Sequence, residues 1–274
     1  MEPPPDRMQP RRTEPPRAFP ALGITLRAED TAGLRHLAHL AGRIGYPLVW
    51  LPANRPPALA ELRELVRVAA PARVGLVLGE AADGGAGWLA ATRDDPGLGR
   101  LPVEIAGGAH QRAAVRAALG AEEYAARVWS RDLDLTGGGH VVTGRDEGEV
   151  TRRLVAAREA RAAAGRPAAE FPVIVDVGVA IGRTTGEAEA RVRLDPVLAA
   201  RSDLRAAGLF GTFDDAQQRV LAYARAGADG LRATLAVGRD VADLLAHLRA
   251  VTVGPVAVLL ARGSTGRSAE QTGQ

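Results

Sequence analysis

Between residues 21 and 262 the chain alternates short apolar runs of strand length with longer segments whose apolar residues recur every three or four positions. That alternation constrains the fold more than any other feature. Successive strand–helix units pack with their strands parallel and their crossovers right-handed. The strand-like runs are 21–28, 47–53, 73–81, 101–108, 171–182, 228–237 and 254–261. Helical periodicity covers 31–45, with Leu34, Leu37, Ala41 and Ile44 on one face, and then 58–70, 111–119, 148–165 and 241–251. Thr184 with Glu187 predicts a capping box for a helix running to Ala200, and Thr212 with Asp215 predicts another for a helix over 214–227. The run FPVIVDVGVAIG is almost wholly apolar, as in a strand covered on both faces of a parallel sheet.

Two stretches resist this reading. Residues 83–100 are glycine-rich without a clean period, and 120–145 hold one or two short strands around a flexible turn at Gly137-Gly138-Gly139. Counting seven or eight strands, the expected fold is a TIM-barrel-like (β/α)8, with a doubly wound sheet as the alternative. A single α/β barrel domain is expected over 21–262. It is preceded by a Pro/Arg-rich leader (1–20) and followed by a polar tail (263–274), both expected to be mobile.

Composition removes several kinds of chemistry. Without cysteine there are no disulfides, thiolate metal sites or cysteine nucleophiles. All 35 basic side chains are arginine, so neither a P-loop lysine nor a Schiff base is available. The net charge is +3, with both signs interspersed and few aromatics, which argues against nucleic-acid binding. No window reaches the roughly 20 apolar residues of a membrane span, and the leader has proline and arginine where a signal peptide is apolar; a cytoplasmic protein is expected. No metal site is expected: His36 and His39 share a helix but lie off its apolar face, with no third ligand nearby.

The segment Gly107-Gly108-Ala109-His110 joins a strand to a helix, where backbone N–H groups and the helix dipole favour a phosphate. An ordinary tight turn is the competing reading. His110 and His140 both follow glycines in expected loops, and His110 is the candidate acid–base residue because it lies at the rim of the strands. Asp176 lies within the apolar run 171–182 on the face of Ile174 and Gly178, which demands either an ion pair with an arginine or a functional carboxyl.

Several segments together resemble the luciferase-like monooxygenase family of TIM-barrel oxidoreductases. They are Gly45, Tyr46 and Trp50 in LRHLAHLAGRIGYPLVWLPANRPP, the strand and Gly-Gly turn of LPVEIAGGAHQRAAVRAALG, and LFGTFDDAQQRVLAYARAGADGLRATLAV. The resemblance implies a flavin- or F420-dependent oxidoreductase binding FMN or coenzyme F420 and acting on a small organic substrate. It also implies a homodimer or a heterodimer with a paralogue. Carried over residue by residue, Gly107, Gly108, Ala109 and His110 would anchor the cofactor phosphate, while Trp50 and Asn54 would line its ring; an indole buried as core is the other reading of Trp50. The chain departs from the family at Ala53-Asn54, where an acid or histidine is usual, and at Phe213 in place of a proline. The family's fourth-strand region is compressed into residues 80–100, which predicts an incomplete or shortened barrel. The alternative function is a non-catalytic barrel serving as a partner subunit or small-ligand binding protein.

Overall fold

A computed structural model describes residues 21–27, 31–53, 57–79, 85–236 and 241–252. The expected leader and tail and the run 254–261 lie outside them. Among the described residues nine strands form one parallel sheet: β1 (Ala21–Thr25), β2 (Leu48–Ala53), β3 (Arg73–Leu78), β4 (Val103–Ile105), β5 (Val128–Ser130), β6 (Gly139–Val142), β7 (Val173–Ile181), β8 (Leu209–Gly211) and β9 (Gly230–Leu235). Eight of these close a ring. Strands β1 to β7 pair in chain order, β7 pairs with β9, and β9 returns to β1. Strand β8 is an addition, pairing only with Val179–Ile181, on the edge of β7 whose first residues face β6. The fold is a (β/α)8 barrel.

The helices are α1 (Thr31–Ile44), α2 (Leu59–Ala69), α3 (Gly85–Thr92), α4 (Ala109–Leu119), α5 (Ala121–Arg127), α6 (Glu147–Ala163), α7 (Thr185–Leu194), α8 (Pro196–Ala200), α9 (Ser202–Ala206) and α10 (Phe213–Ala226), and residues 241–252 are helical as well. The expected capping box at Thr212 and Asp215 forms, and Thr184 accepts from the Glu187 amide. The helix predicted to reach Ala200 instead ends at Leu194. Pro196 has no N–H to continue it, and Asp195 turns to cap α8 through the amides of Val197 and Leu198 at 3.0 and 2.9 Å.

The compressed segment 80–100 does not cost the barrel a strand. Its residues 85–92 form α3, whose apolar residues are too evenly spread round the helix to show a period. The shortening lies further on, where residues 131–138 join the parallel strands β5 and β6 without a helix. This explains the three glycines, which are fixed packing positions rather than a flexible turn. A Cβ on Gly137 would lie 2.7 Å from the Val128 carbonyl oxygen, and one on Gly138 2.9 Å from that of Ala125. One on Gly139 would lie 2.7 Å from the Trp129 ring. A bare crossover has to lie directly on the strands it joins, and only glycine permits that approach. The Tyr124 hydroxyl donates to Asp134 at 2.8 Å, and Arg166 donates to the Leu135 and Gly137 carbonyls, pinning the crossover in place.

The main core lies between the barrel and its helices, where Val49, Leu51, Val74, Leu76, Val173 and Val175 face outward onto helical residues such as Leu62, Leu65 and Leu154. Inside the barrel a smaller cluster holds Trp50, Trp129, Val141 and Ile174. The two indoles meet edge to face with centroids 5.7 Å apart. Gly23 and Gly75 make room for Trp50 on either side, since a Cβ on either would come within 2.7 Å of its ring.

Candidate active site at the mouth of the barrel

In barrels of this kind chemistry belongs at the C-terminal ends of the strands. Just beyond β4, Gly107 is buried and Gly108 is exposed, and Gly108 is the N-cap of α4. It supplies no side-chain cap, so the first-turn amides of an 11-residue helix are left to an outside partner. A Cβ on Gly108 would meet nothing within 4 Å, so the space before those amides is open. Gln111 reaches back over Gly107, its Nε2 donating to the Gly79 carbonyl at 3.3 Å, while its Oε1 is buried without a partner among the described residues. Arg112 fixes the turn by donating to the Gly107 carbonyl at 3.2 Å and to Asp132 at 2.7 Å. Ala109 and His110 are exposed on this first turn. Open amides of this kind fit a phosphate group.

The other expected site residues are placed differently. Trp50 is fully buried in the middle of β2, inside the barrel, with the Arg232 guanidinium 5.5 Å from its ring centroid. The indole is core, and no surface of it is open to a ligand. Its Nε1 has no partner among the described residues. Asn54 lies outside the described residues. His140 is not in a loop but within β6, facing the helices, buried, with Nδ1 3.1 Å from the Ser130 carbonyl; burial holds its pKa below the usual histidine range. His36 and His39 are exposed on α1, and no group of side chains able to hold a metal occurs among the described residues.

Asp176 leads to what the sequence analysis missed. It does form an ion pair, with Arg232 of β9: Nε donates at 3.1 Å and Nη2 at 2.7 Å. The same guanidinium presents Nη1 to Glu104 of β4, which is wholly buried. Arg131, at the end of β5, donates through Nε to the other oxygen of Glu104 at 2.7 Å, and its Nη2 lies 3.7 Å from Asp176. Four charged groups, three on strands and Arg131 just past the end of β5, thus cross the barrel interior next to the tryptophans. Burial pushes the Asp176 carboxyl up to about 6 and the Arg232 guanidinium down to about 9, leaving both charged at pH 7. A signal for these residues exists in the sequence: Glu104 and Arg232, like Asp176, are lone charges within apolar strand runs, and such charges need partners.

The segment α8–α9 lies over this layer. Arg201 and Asp203 pair with each other at 2.6 and 2.7 Å, each lying 4.0 Å from a wall residue, Asp176 and Arg131 respectively. Gly178, on the inward face of β7, lets the segment settle. A Cβ there would be 3.0 Å from Leu198 Cδ2 and from the Leu204 carbonyl oxygen. At its start the segment is anchored by Arg27, whose two η nitrogens reach Asp195 at 3.1 and 2.6 Å; Nη2 also reaches the Leu235 carbonyl at 2.5 Å.

This arrangement can be set beside solved structures. An F420-dependent tetrahydromethanopterin reductase from Methanopyrus kandleri superposes with a TM-score of 0.61 at 12% identity, covering 84% of this chain and 97% of that one. An F420-dependent secondary alcohol dehydrogenase, solved with an F420–acetone adduct, gives 0.61 at 11% identity, covering 86% and 98%. A monooxygenase from Streptomyces bottropensis gives 0.57 at 15% identity, covering 87% and 98%. The chain shares the (β/α)8 barrel fold of these oxidoreductases. At these identities the likeness establishes fold alone. No family profile matches the sequence, and no curated protein does. Among the described residues no helix is long and apolar enough to cross a membrane.

Proposed function

We propose that this barrel is a flavin-type oxidoreductase that binds FMN or coenzyme F420 at the mouth and acts on a small organic substrate. The observation that carries the reading is the uncapped start of α4 behind Gly107-Gly108, at the end of a strand in a closed barrel of this fold. When bound, the cofactor would supply hydride transfer, and the protein would supply binding, orientation and electrostatics. The amides of Ala109, His110 and Gln111 would hold the phosphate. Arg112 would keep the Gly107 turn in shape through its two hydrogen bonds. His110, exposed beside the phosphate, is the candidate for moving a proton.

A second reading has its own support. The carboxylates Glu104, Asp176, Asp195 and Asp203 are each committed to an arginine, and Trp50 is enclosed. That favours a non-catalytic relative acting as a partner subunit or a small-ligand binder.

Titration with FMN and with F420, each followed by cofactor fluorescence and by melting temperature, separates the two. Saturable binding of one cofactor, with stabilisation of about 2.7 kcal/mol at a hundred times Kd, is the expected result. The substitution Gly108→Asp sharpens it. An aspartate at this N-cap should stabilise the apoprotein by only a few tenths of a kcal/mol, since glycine is itself a tolerated N-cap. The same carboxylate would occupy the phosphate position and weaken cofactor binding by roughly tenfold or more. Failure of both cofactors to bind the parent protein would leave the non-catalytic reading.

A further inference from the structure

Arg131 is held in an unusual state. Its Nε is committed to the wholly buried Glu104 at 2.7 Å, which fixes the plane of the guanidinium. Neither Nη1 nor Nη2 has a hydrogen-bond partner among the described residues. The nearest acids are Asp176 at 3.7 Å and Asp203 at 4.0 Å, beyond hydrogen-bonding reach. The side chain retains 29% of its exposure, while its neighbour in the layer, Arg232, retains 2%. A part-exposed guanidinium held at Nε, with two adjacent η nitrogens that make no hydrogen bond among the described residues, has the donors to receive a planar oxyanion in bidentate fashion.

Charge bookkeeping indicates what keeps the position shielded. The wall residues Arg131 and Arg232 are balanced by Glu104 and Asp176, and in the covering segment Arg201 is balanced by Asp203 through two short bonds. The Arg201–Asp203 pair comes no closer than 4.0 Å to the wall charges, while Leu198 and Leu204 of the same segment pack with Ala180 and Ala236. Each half is neutral by itself, so neither half needs the other's charges. Asp203 therefore sits as an internal carboxylate just short of the η nitrogens of Arg131.

We propose that Arg131 is the anchor of a carboxylate-binding subsite in the barrel mouth, which takes the carboxylate of a small organic ligand in place of Asp203. The site does not depend on whether the barrel holds a flavin-type cofactor, and its test uses none. The probes are benzoate and its neutral isostere benzamide, titrated against the full chain by saturation-transfer NMR and calorimetry. Benzoate should bind saturably, and benzamide roughly tenfold or more weakly. Asp203→Asn, which leaves the wall untouched and removes the competing carboxylate, should tighten benzoate by roughly three- to tenfold. Arg131→Met should weaken benzoate by roughly tenfold or more, with circular dichroism reporting whether the variant is folded. Equal binding of the two probes, or benzoate affinity unchanged in Asp203→Asn, would overturn the subsite. So would loss of benzoate in Gly108→Asp with retention in Arg131→Met, which would move the anion to the start of α4.

Discussion

The barrel interior solves the same packing problem in two ways at two neighbouring levels. At one level, Trp50 and Trp129 fill the space by shape, and Gly23, Gly75 and Gly139 withdraw their side chains to admit them. At the other, Glu104, Asp176, Arg131 and Arg232 fill it by charge, each group tolerated because another neutralises it. Arg232 joins the levels, lying over the Trp50 ring while pairing with both carboxylates. The aromatic level needs only volume and contributes stability. The charged level gains little over an apolar filling, because desolvation offsets much of the Coulomb attraction. A charged layer kept at the mouth therefore points to function, whereas the aromatic layer needs no such explanation.

The sharpest way to break this comparison is Arg232→Met. It leaves Glu104 and Asp176 buried and facing one another without their shared cation, and should cost about 3–5 kcal/mol in urea unfolding. A loss under 1 kcal/mol would mean that water or relaxation replaces the arginine, and that the layer is not dry. Next comes pH. Because burial raises Asp176 to about 6, the folded protein holds a proton there that the unfolded chain has released. Its contribution to stability is full below the unfolded value near 4 and declines as pH rises to about 6, by up to roughly 3 kcal/mol. Carboxylates held low behave oppositely. The amide and side chain of Arg145 bring Glu149 down to about 2, and its contribution is lost as pH falls through that range. The stability of the parent relative to Asp176→Asn should therefore fall between pH 4 and 6 and level off above; a parent that gains on the variant over that window contradicts the raised carboxyl.

The smallest effect tests the aromatic level. Gly75→Ala places a Cβ 2.7 Å from the Trp50 ring and should cost about 1–3 kcal/mol by overpacking. Combined with Trp50→Phe, the loss should be less than the sum of the two, because the smaller ring makes room for the methyl group. Strict additivity would show that Gly75 is needed for its backbone and not for the tryptophan. In none of these variants should the charged pairs on the outer helices respond.

Much of the fold was legible in the sequence, and the reasons are local. Helical and strand periodicities depend on neighbours within a few residues, so α1, α2, α6, β2 and β7 fall where the pattern predicts. The capping box at Thr212 closes over three residues and forms as read. At Thr184 only the half in which the threonine accepts from the Glu187 amide forms, Glu187 accepting from the Arg183 amide. The Gly107-Gly108 junction was visible for the same reason, since a strand, two glycines and a helix follow one another directly. What the tertiary structure decided is orientation and closure. In a barrel both faces of a strand are buried, so alternation cannot distinguish the inward face from the outward one. Nothing local says that Trp50 points to the axis, that His140 faces the helices, or that Glu104, Asp176 and Arg232 from three distant strands meet. The missing helix between β5 and β6 was hidden likewise, because three glycines read locally as a flexible turn and only the strands beneath them show why no side chain fits.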